Sequence, residues 1–123
     1  MAKGRSRRRL MRRRVLHVLL LSNLETISAA EVAGHLCVSS STLRRRLRAE
    51  GTSYQKLLDQ VRRYRCEKTL AQRWLPGKCL ASNLGFSQPN SFYRAFGRWT
   101  GMTYTQYKRY LRGGSARHVE QLY

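Results

Sequence analysis

The sequence predicts an all-α chain of about seven helices, two helix-turn-helix subdomains joined by a long helix. Two observations predict it. A pattern is written twice: Val32-Ala33, Leu36, Ser39, Leu43, Arg45 and Leu47 recur as Leu80-Ala81, Leu84, Ser87, Phe92, Arg94 and Phe96. Gly51-Thr52-Ser53-Tyr54 is then answered by Gly101-Met102-Thr103-Tyr104, so the duplication extends through the exit of each unit. Between the two copies, Ser53 to Trp74 contains neither Gly nor Pro and reads as one continuous helix.

Residues 1–8 read as a basic arm, because like charges beside Gly4 and Ser6 have nothing to bury. The first subdomain, 9–52, opens with a helix over about Arg9 to Ser22 that places Met11, Val15, Val18 and Leu19 on one face. Asn23 is its expected stop. Ser28 and Glu31 form a capping box in which each side chain is expected to satisfy the other's free backbone N–H, starting a helix that runs to about Leu36. Cys37-Val38-Ser39 makes the turn. The next helix, about Ser40 to Glu50, turns Leu43 and Leu47 inward and sets Ser41, Arg44, Arg45 and Arg48 at i, i+3, i+4 and i+7 on the opposite side. Gly51 ends it as a left-handed cap.

The linker helix, 53–74, has Leu57, Leu58, Val61, Tyr64 and Leu70 as expected anchors and a length of about 33 Å. That matches the spacing of about 34 Å between successive major grooves on one face of B-DNA. The second subdomain, 75–112, starts at Leu75-Pro76-Gly77, since Pro suits a first helical position. A helix over about Gly77 to Leu84 is followed by the turn Gly85-Phe86-Ser87 and a helix over about Gln88 to Trp99 with Phe92, Phe96 and Trp99 inward. A last helix runs from Thr103 or Tyr104 to Leu111, and residues 113–123 form a tail.

Charge narrows the partner. The chain carries 25 Lys plus Arg against 6 Asp plus Glu, a net charge of +19, which calls for a polyanion. Most of that charge is Arg, whose planar fork engages phosphate and guanine edges in pairs, so nucleic acid fits better than a membrane surface. Cys37, Cys66 and Cys79 are odd in number and lack CxxC spacing, which points away from a disulfide framework or zinc site and toward buried small hydrophobes in a reducing cytoplasm. No cofactor or metal is expected. The basic stretch Lys3 to Arg14 followed by Val15 to Leu21 imitates an export signal. It reads as core instead, because the apolar run is short, contains His17, and cleavage near Ser28-Ala29-Ala30 would remove a helix the first unit needs.

The segments Ala33-xx-Leu36-xx-Ser39-xx-Thr42-Leu43-x-Arg45, Leu84-Gly85-Phe86-Ser87 and Phe92-x-Arg94-Ala95-Phe96-x-Arg98-Trp99-Thr100-Gly101, with Tyr107, resemble the DNA-binding domain of AraC/XylS-type transcriptional regulators. The resemblance covers about residues 9 to 111 and is densest over the second unit. It implies two homeodomain-like helix-turn-helix subdomains that each insert a recognition helix into successive major grooves of promoter DNA. It also implies a sequence-specific transcription regulator, an activator in the bacterial cytoplasm associated with the nucleoid. RNA polymerase is then a further partner, with an accessory protein or a missing N-terminal domain as others. The chain departs from that family at Pro76 and Cys79, where a capping residue and a Glu are usual, and at Thr103-Tyr104, where a small residue and Pro are usual.

Carried over position by position, the resemblance makes Ser41, Arg44 and Arg45 of the first unit and Asn90, Ser91, Tyr93 and Arg94 of the second the base-reading residues. Arg suits guanine and Asn suits adenine, whereas Pro89 can donate nothing, so the first helix is expected to read the sharper sequence. Arg46, Arg48, Lys56, Gln88 and Arg98 are the expected phosphate contacts. Two other function classes compete. A nonspecific or architectural basic protein explains the charge but not the duplicated motif. An enzyme would need a carboxylate pair, an activated nucleophile or a metal cluster, and the sequence offers none of these patterns.

Overall fold

The computed structural model describes residues 10–113, the side chains of the last two excepted; the arm at 1–8 and the tail beyond 113 lie outside the described residues. Seven helices and no strand occur among them: α1 (Met11–Leu20), α2 (Ala29–His35), α3 (Ser40–Ala49), α4 (Tyr54–Gln72), α5 (Gly77–Asn83), α6 (Pro89–Thr100) and α7 (Tyr104–Gly113). The chain divides between Arg73 and Trp74 into two compact units.

In the first unit, α1 packs against α2, α3 and α4, and α2 against α3. Its core contains Val15 and Leu19 of α1, Val32 of α2, Leu43 and Leu47 of α3, and Leu57, Leu58 and Val61 of α4. Each such side chain, fully buried, contributes about 1.5–3 kcal/mol before the entropy of ordering it. Of the run that imitates an export signal, Val15 and Leu19 are core, whereas Leu20 and Leu21 are exposed. No helix among the described residues is long and apolar enough to cross a membrane.

The helix ends show how local chemistry sets the boundaries. Ser39 caps α3 by accepting from the Thr42 N–H at 3.0 Å. At the far end the Gly51 N–H reaches the Arg48 carbonyl at 2.9 Å and the Thr52 N–H reaches that of Leu47 at 3.0 Å, with Gly51 at φ 77°. This paired closure satisfies two orphan carbonyls and needs a left-handed residue. The same closure ends α2, but there Cys37 takes the left-handed position at φ 60°, whereas its repeat counterpart is Gly85 at φ 86°.

Several expectations need correction. The capping box at α2 is half formed: Ser28 Oγ accepts from the Glu31 N–H, while the Glu31 carboxylate takes the Ser28 hydroxyl rather than its backbone N–H. The full reciprocal box stands at α7, where Thr103 Oγ1 accepts from the Gln106 N–H and Gln106 Oε1 from the Thr103 N–H. Asn23 does not end α1, which stops at Leu20; its side chain instead accepts from the Glu25 N–H and shapes the following turn. The long helix ends at Gln72, about 28 Å from its start. Arg73 is extended there, and Trp74 stacks on Tyr104 of the second unit at 4.7 Å between ring centroids.

Tyr64 is 49% exposed and not an anchor, because the next residue, about 100° further round α4, faces α1. That residue is Arg65, whose guanidinium donates to the carbonyls of Leu19, Leu20 and Ser22 at 3.1, 2.9 and 2.7 Å. Cys66 is buried as expected, and burial together with the nearby Glu67 carboxylate pushes its thiol up to about 12. Cys37 and Cys79 are exposed, since the turn and the outer side of α5 face solvent.

In the second unit α5 and α7 both pack on α6. Phe92 and Phe96 are fully buried, and Tyr104 meets both edge-on at 5.4 and 5.0 Å. Such aromatic contacts add about 0.5–1.5 kcal/mol beyond area burial. Tyr104 also donates its hydroxyl to the Leu75 carbonyl. The departure from the family's small residue and Pro is thus filled by a ring that ties α7 to the chain leading into α5.

Candidate nucleic-acid interface

The outward face of α3 is built by its inward one. Burial of Leu43 and Leu47 fixes the rotation of the helix, and period 3.6 then sends Ser41, Arg44, Arg45 and Arg48 to solvent. Arg44, Arg45, Arg46 and Arg48 are exposed, and none of their guanidiniums has a hydrogen bond or ion pair among the described residues. Four guanidiniums within one ten-residue helix repel one another, and a polyanion laid along that face removes the repulsion. A cleft of about 330 Å³ beside the helix is lined in part by Leu43, Arg44, Leu47 and Arg48. Lys56, exposed in the first turn of α4, stands where the Ser53 hydroxyl accepts from its backbone N–H.

Two contacts that sequence reasoning missed tie α1 to the ends of α3 and α2. Glu50, the C-cap of α3, accepts from the Met11 N–H at 2.7 Å and the Arg12 N–H at 2.9 Å, capping α1 across the unit. Arg14 donates to the Leu36 carbonyl at 3.4 Å, at the end of α2. With Arg65 on the last carbonyls of α1, the helices are joined end to end by charged side chains acting on backbone groups. Burial lowers the guanidinium of Arg65 from its ordinary value, and likewise that of Arg62, where Asp59 and Tyr54 oppose the effect.

On α6, Gln88 is the N-cap without a side-chain cap bond, and Pro89 is the first helical residue. Gln88, Asn90, Arg94 and Arg98 are exposed and Ser91 is half-buried. Tyr93 is placed differently from the other six base-reading candidates. Its ring lies against the start of α5, where a Cβ on Gly77 would come 2.5 Å from its hydroxyl oxygen. It also packs on Phe92 and Tyr104 and keeps 36% of its surface exposed. Tyr93 therefore braces α5 against α6 as well as facing outward. From Trp74 to Gly113 the sequence contains no Asp or Glu, against six Lys and Arg: Lys78, Arg94, Arg98, Lys108, Arg109 and Arg112.

Among the described residues no group of His, Cys, Asp and Glu is arranged to hold a metal ion. Residues 32–110 match the family described as helix-turn-helix domain. The chain is 35% identical over 81 residues to the HTH-type transcriptional regulator VqsM and 36% identical over 95 residues to the ornithine utilization regulator, both of Pseudomonas aeruginosa. These alignments take in 66% and 77% of this chain but 25% and 28% of the two relatives, so the chain spans little more than a quarter of their length. Among solved structures it resembles a DNA-binding transcriptional dual regulator from Escherichia coli K-12, with a TM-score of 0.73 and 31% identity over 82% of this chain and 97% of that one. It also resembles the transcriptional regulator CdpR from Pseudomonas aeruginosa, with a TM-score of 0.71 and 38% identity over 80% of this chain and 31% of that one. Repeat, helix order and these likenesses agree: the chain belongs to the AraC/XylS-type helix-turn-helix family.

Proposed function

We propose that this chain binds double-stranded promoter DNA in a sequence-specific way and regulates transcription, as an activator, with α3 and α6 in successive major grooves. The observation that carries the reading is the face of α3: exposed arginines without protein partners, on a helix capped at both ends and rotationally fixed by its buried leucines. Arg44 and Arg45 read guanine edges, with Ser41 beside them. Asn90, Ser91 and Arg94 read the second block, and Tyr93 serves chiefly to position them. Arg46, Arg48, Lys56, Gln88 and Arg98 hold phosphates, which sets register without choosing sequence.

Two different heads on one chain need no palindrome, so the site is asymmetric and a single chain occupies it. RNA polymerase is the further partner that activation requires, and an accessory protein or an N-terminal domain of a longer regulator supplies control. The proposed setting is the bacterial cytoplasm, at the nucleoid. No catalytic step belongs to this reading, and no cofactor is needed for it.

The test is Arg45→Ala on the cognate duplex and on duplexes changed one base pair at a time. A loss of about 1–3 kcal/mol on the cognate site, with preference relaxed at one position, is expected for a base-reading arginine. An equal loss on every duplex would make Arg45 a phosphate contact.

A further inference from the structure

The duplication sets matching residues around one spot in each unit, and in the second unit a side chain fills it. There the Tyr93 ring lies over Gly77, the first residue of α5, so closely that a Cβ on Gly77 would stand 2.5 Å from the ring's hydroxyl oxygen and 2.6 Å from its Cε1. Phe92 and Tyr104 pack on the same ring at 5.6 and 6.1 Å between centroids. By the repeat, the counterparts of Gly77, Phe92, Tyr93 and Tyr104 are Ala29, Leu43, Arg44 and Tyr54.

All four counterparts line the cleft of about 330 Å³ beside α3, together with Leu47 and Arg48. Where the second unit has a phenol ring, the first has an exposed arginine whose guanidinium is unpartnered among the described residues, and a cleft is left open. Its volume falls at the lower end of the range of small-molecule sites, about 300–1,000 Å³. Two features select the occupant. Leu43, Leu47 and the Tyr54 ring line the cleft with apolar groups, as Phe92 and Tyr104 surround the Tyr93 ring. Arg44 and Arg48, four residues apart on one helix face, offer two guanidiniums whose geometry suits a carboxylate. We infer that this cleft is a binding site for a small aromatic carboxylate, its ring seated as the Tyr93 ring is in the second unit and its carboxylate held by Arg44 and Arg48.

An occupant of this cleft engages arginines that the reading above gives to DNA, so it competes with the duplex at the α3 block. That consequence rests on the proposed function. The site itself does not, because the cleft and its unpartnered guanidiniums are there without DNA. Tyr93 is the second unit's own occupant, so only the first unit responds to the ligand.

The experiment titrates the full chain with para-hydroxyphenylacetate, which carries the tyrosine ring and a carboxylate, and with para-cresol and acetate, which carry one each. Amide NMR shifts report the site, since both tryptophans lie in the second unit. Saturable shifts at Ala29, Arg44, Arg48 and Thr52, and none around Tyr93, are expected from para-hydroxyphenylacetate. Binding of para-cresol is expected to be about tenfold weaker, and acetate is expected to give no saturable shift. Ala29→Phe, which fills the cleft, abolishes binding. Arg44→Gln/Arg48→Gln changes only exposed positions, so it tests the site whatever Ala29→Phe does to the fold; it weakens para-hydroxyphenylacetate about tenfold and leaves para-cresol unchanged. Shifts that acetate reproduces, shifts spread equally over the arginines of α6, a failure to saturate, or an affinity that the double variant leaves unchanged would each overturn the inference. At ligand ten times its Kd, affinity for a selected duplex is expected to fall about tenfold. If an occupied cleft leaves that affinity unchanged, the site stands and the reading of α3 as a DNA-contacting helix fails instead.

Discussion

Tyr54 and Tyr104 hold matching places in the repeat, yet their hydroxyls meet different fates. The Tyr104 hydroxyl donates to the Leu75 carbonyl, while that of Tyr54 is buried without a hydrogen-bond partner. Burial pushes the Tyr54 hydroxyl above its ordinary range, with Arg62 opposing and Glu31 adding to the rise. An unpaired buried hydroxyl costs free energy that an apolar edge does not. Tyr54→Phe should therefore leave Tm unchanged or raise it, and Tyr104→Phe should lose about 1 kcal/mol in thermal melts. Cys37 makes a second residue-scale contrast, because it holds at φ 60° a conformation that Gly85 holds freely in the other unit. Cys37→Gly should stabilise the first unit by about 1 kcal/mol, read as a rise in its melting midpoint.

At the scale of elements, what was legible in the sequence is what a helix encodes within one or two turns. Ser39 and Gly51 bound α3 as their types require, and the spacing of Leu43 and Leu47 fixes which arginines face out. Phe92 and Phe96 do the same for α6. Contacts between residues far apart in the chain were not legible. Nothing in the spacing of α4 says that Arg65 rather than Tyr64 faces α1, because that choice depends on where the carbonyls of Leu19, Leu20 and Ser22 end. Glu50 reads locally as the end of α3 and acts on Met11 and Arg12, and Tyr93 shares the outward stripe by period yet lies on Gly77. Arg65 is also a warning against counting every cation as a DNA contact. Arg65→Ala should cost the first unit about 1.5–3 kcal/mol through lost charged hydrogen bonds, seen as an earlier far-UV circular dichroism transition. Retention of the parent midpoint would remove Arg65 as the cap of α1.

For the whole molecule, the division between Arg73 and Trp74 predicts two stabilities in one chain. Both tryptophans, Trp74 and Trp99, lie in the second unit, so their fluorescence follows that unit while circular dichroism follows both. Phe96→Ala should cost about 3–5 kcal/mol and shift the fluorescence transition, with a first helical transition left in place. A single unshifted transition would refute the packing described for α6.

The central claim is that two dissimilar heads read one asymmetric duplex, and selection of bound sequences from a random DNA library at about 150 mM salt tests it most directly. Enrichment of a non-palindromic site with two blocks about 10 base pairs apart, outcompeting scrambled DNA, is the predicted result. High affinity without any enriched sequence would contradict it and leave a nonspecific basic protein.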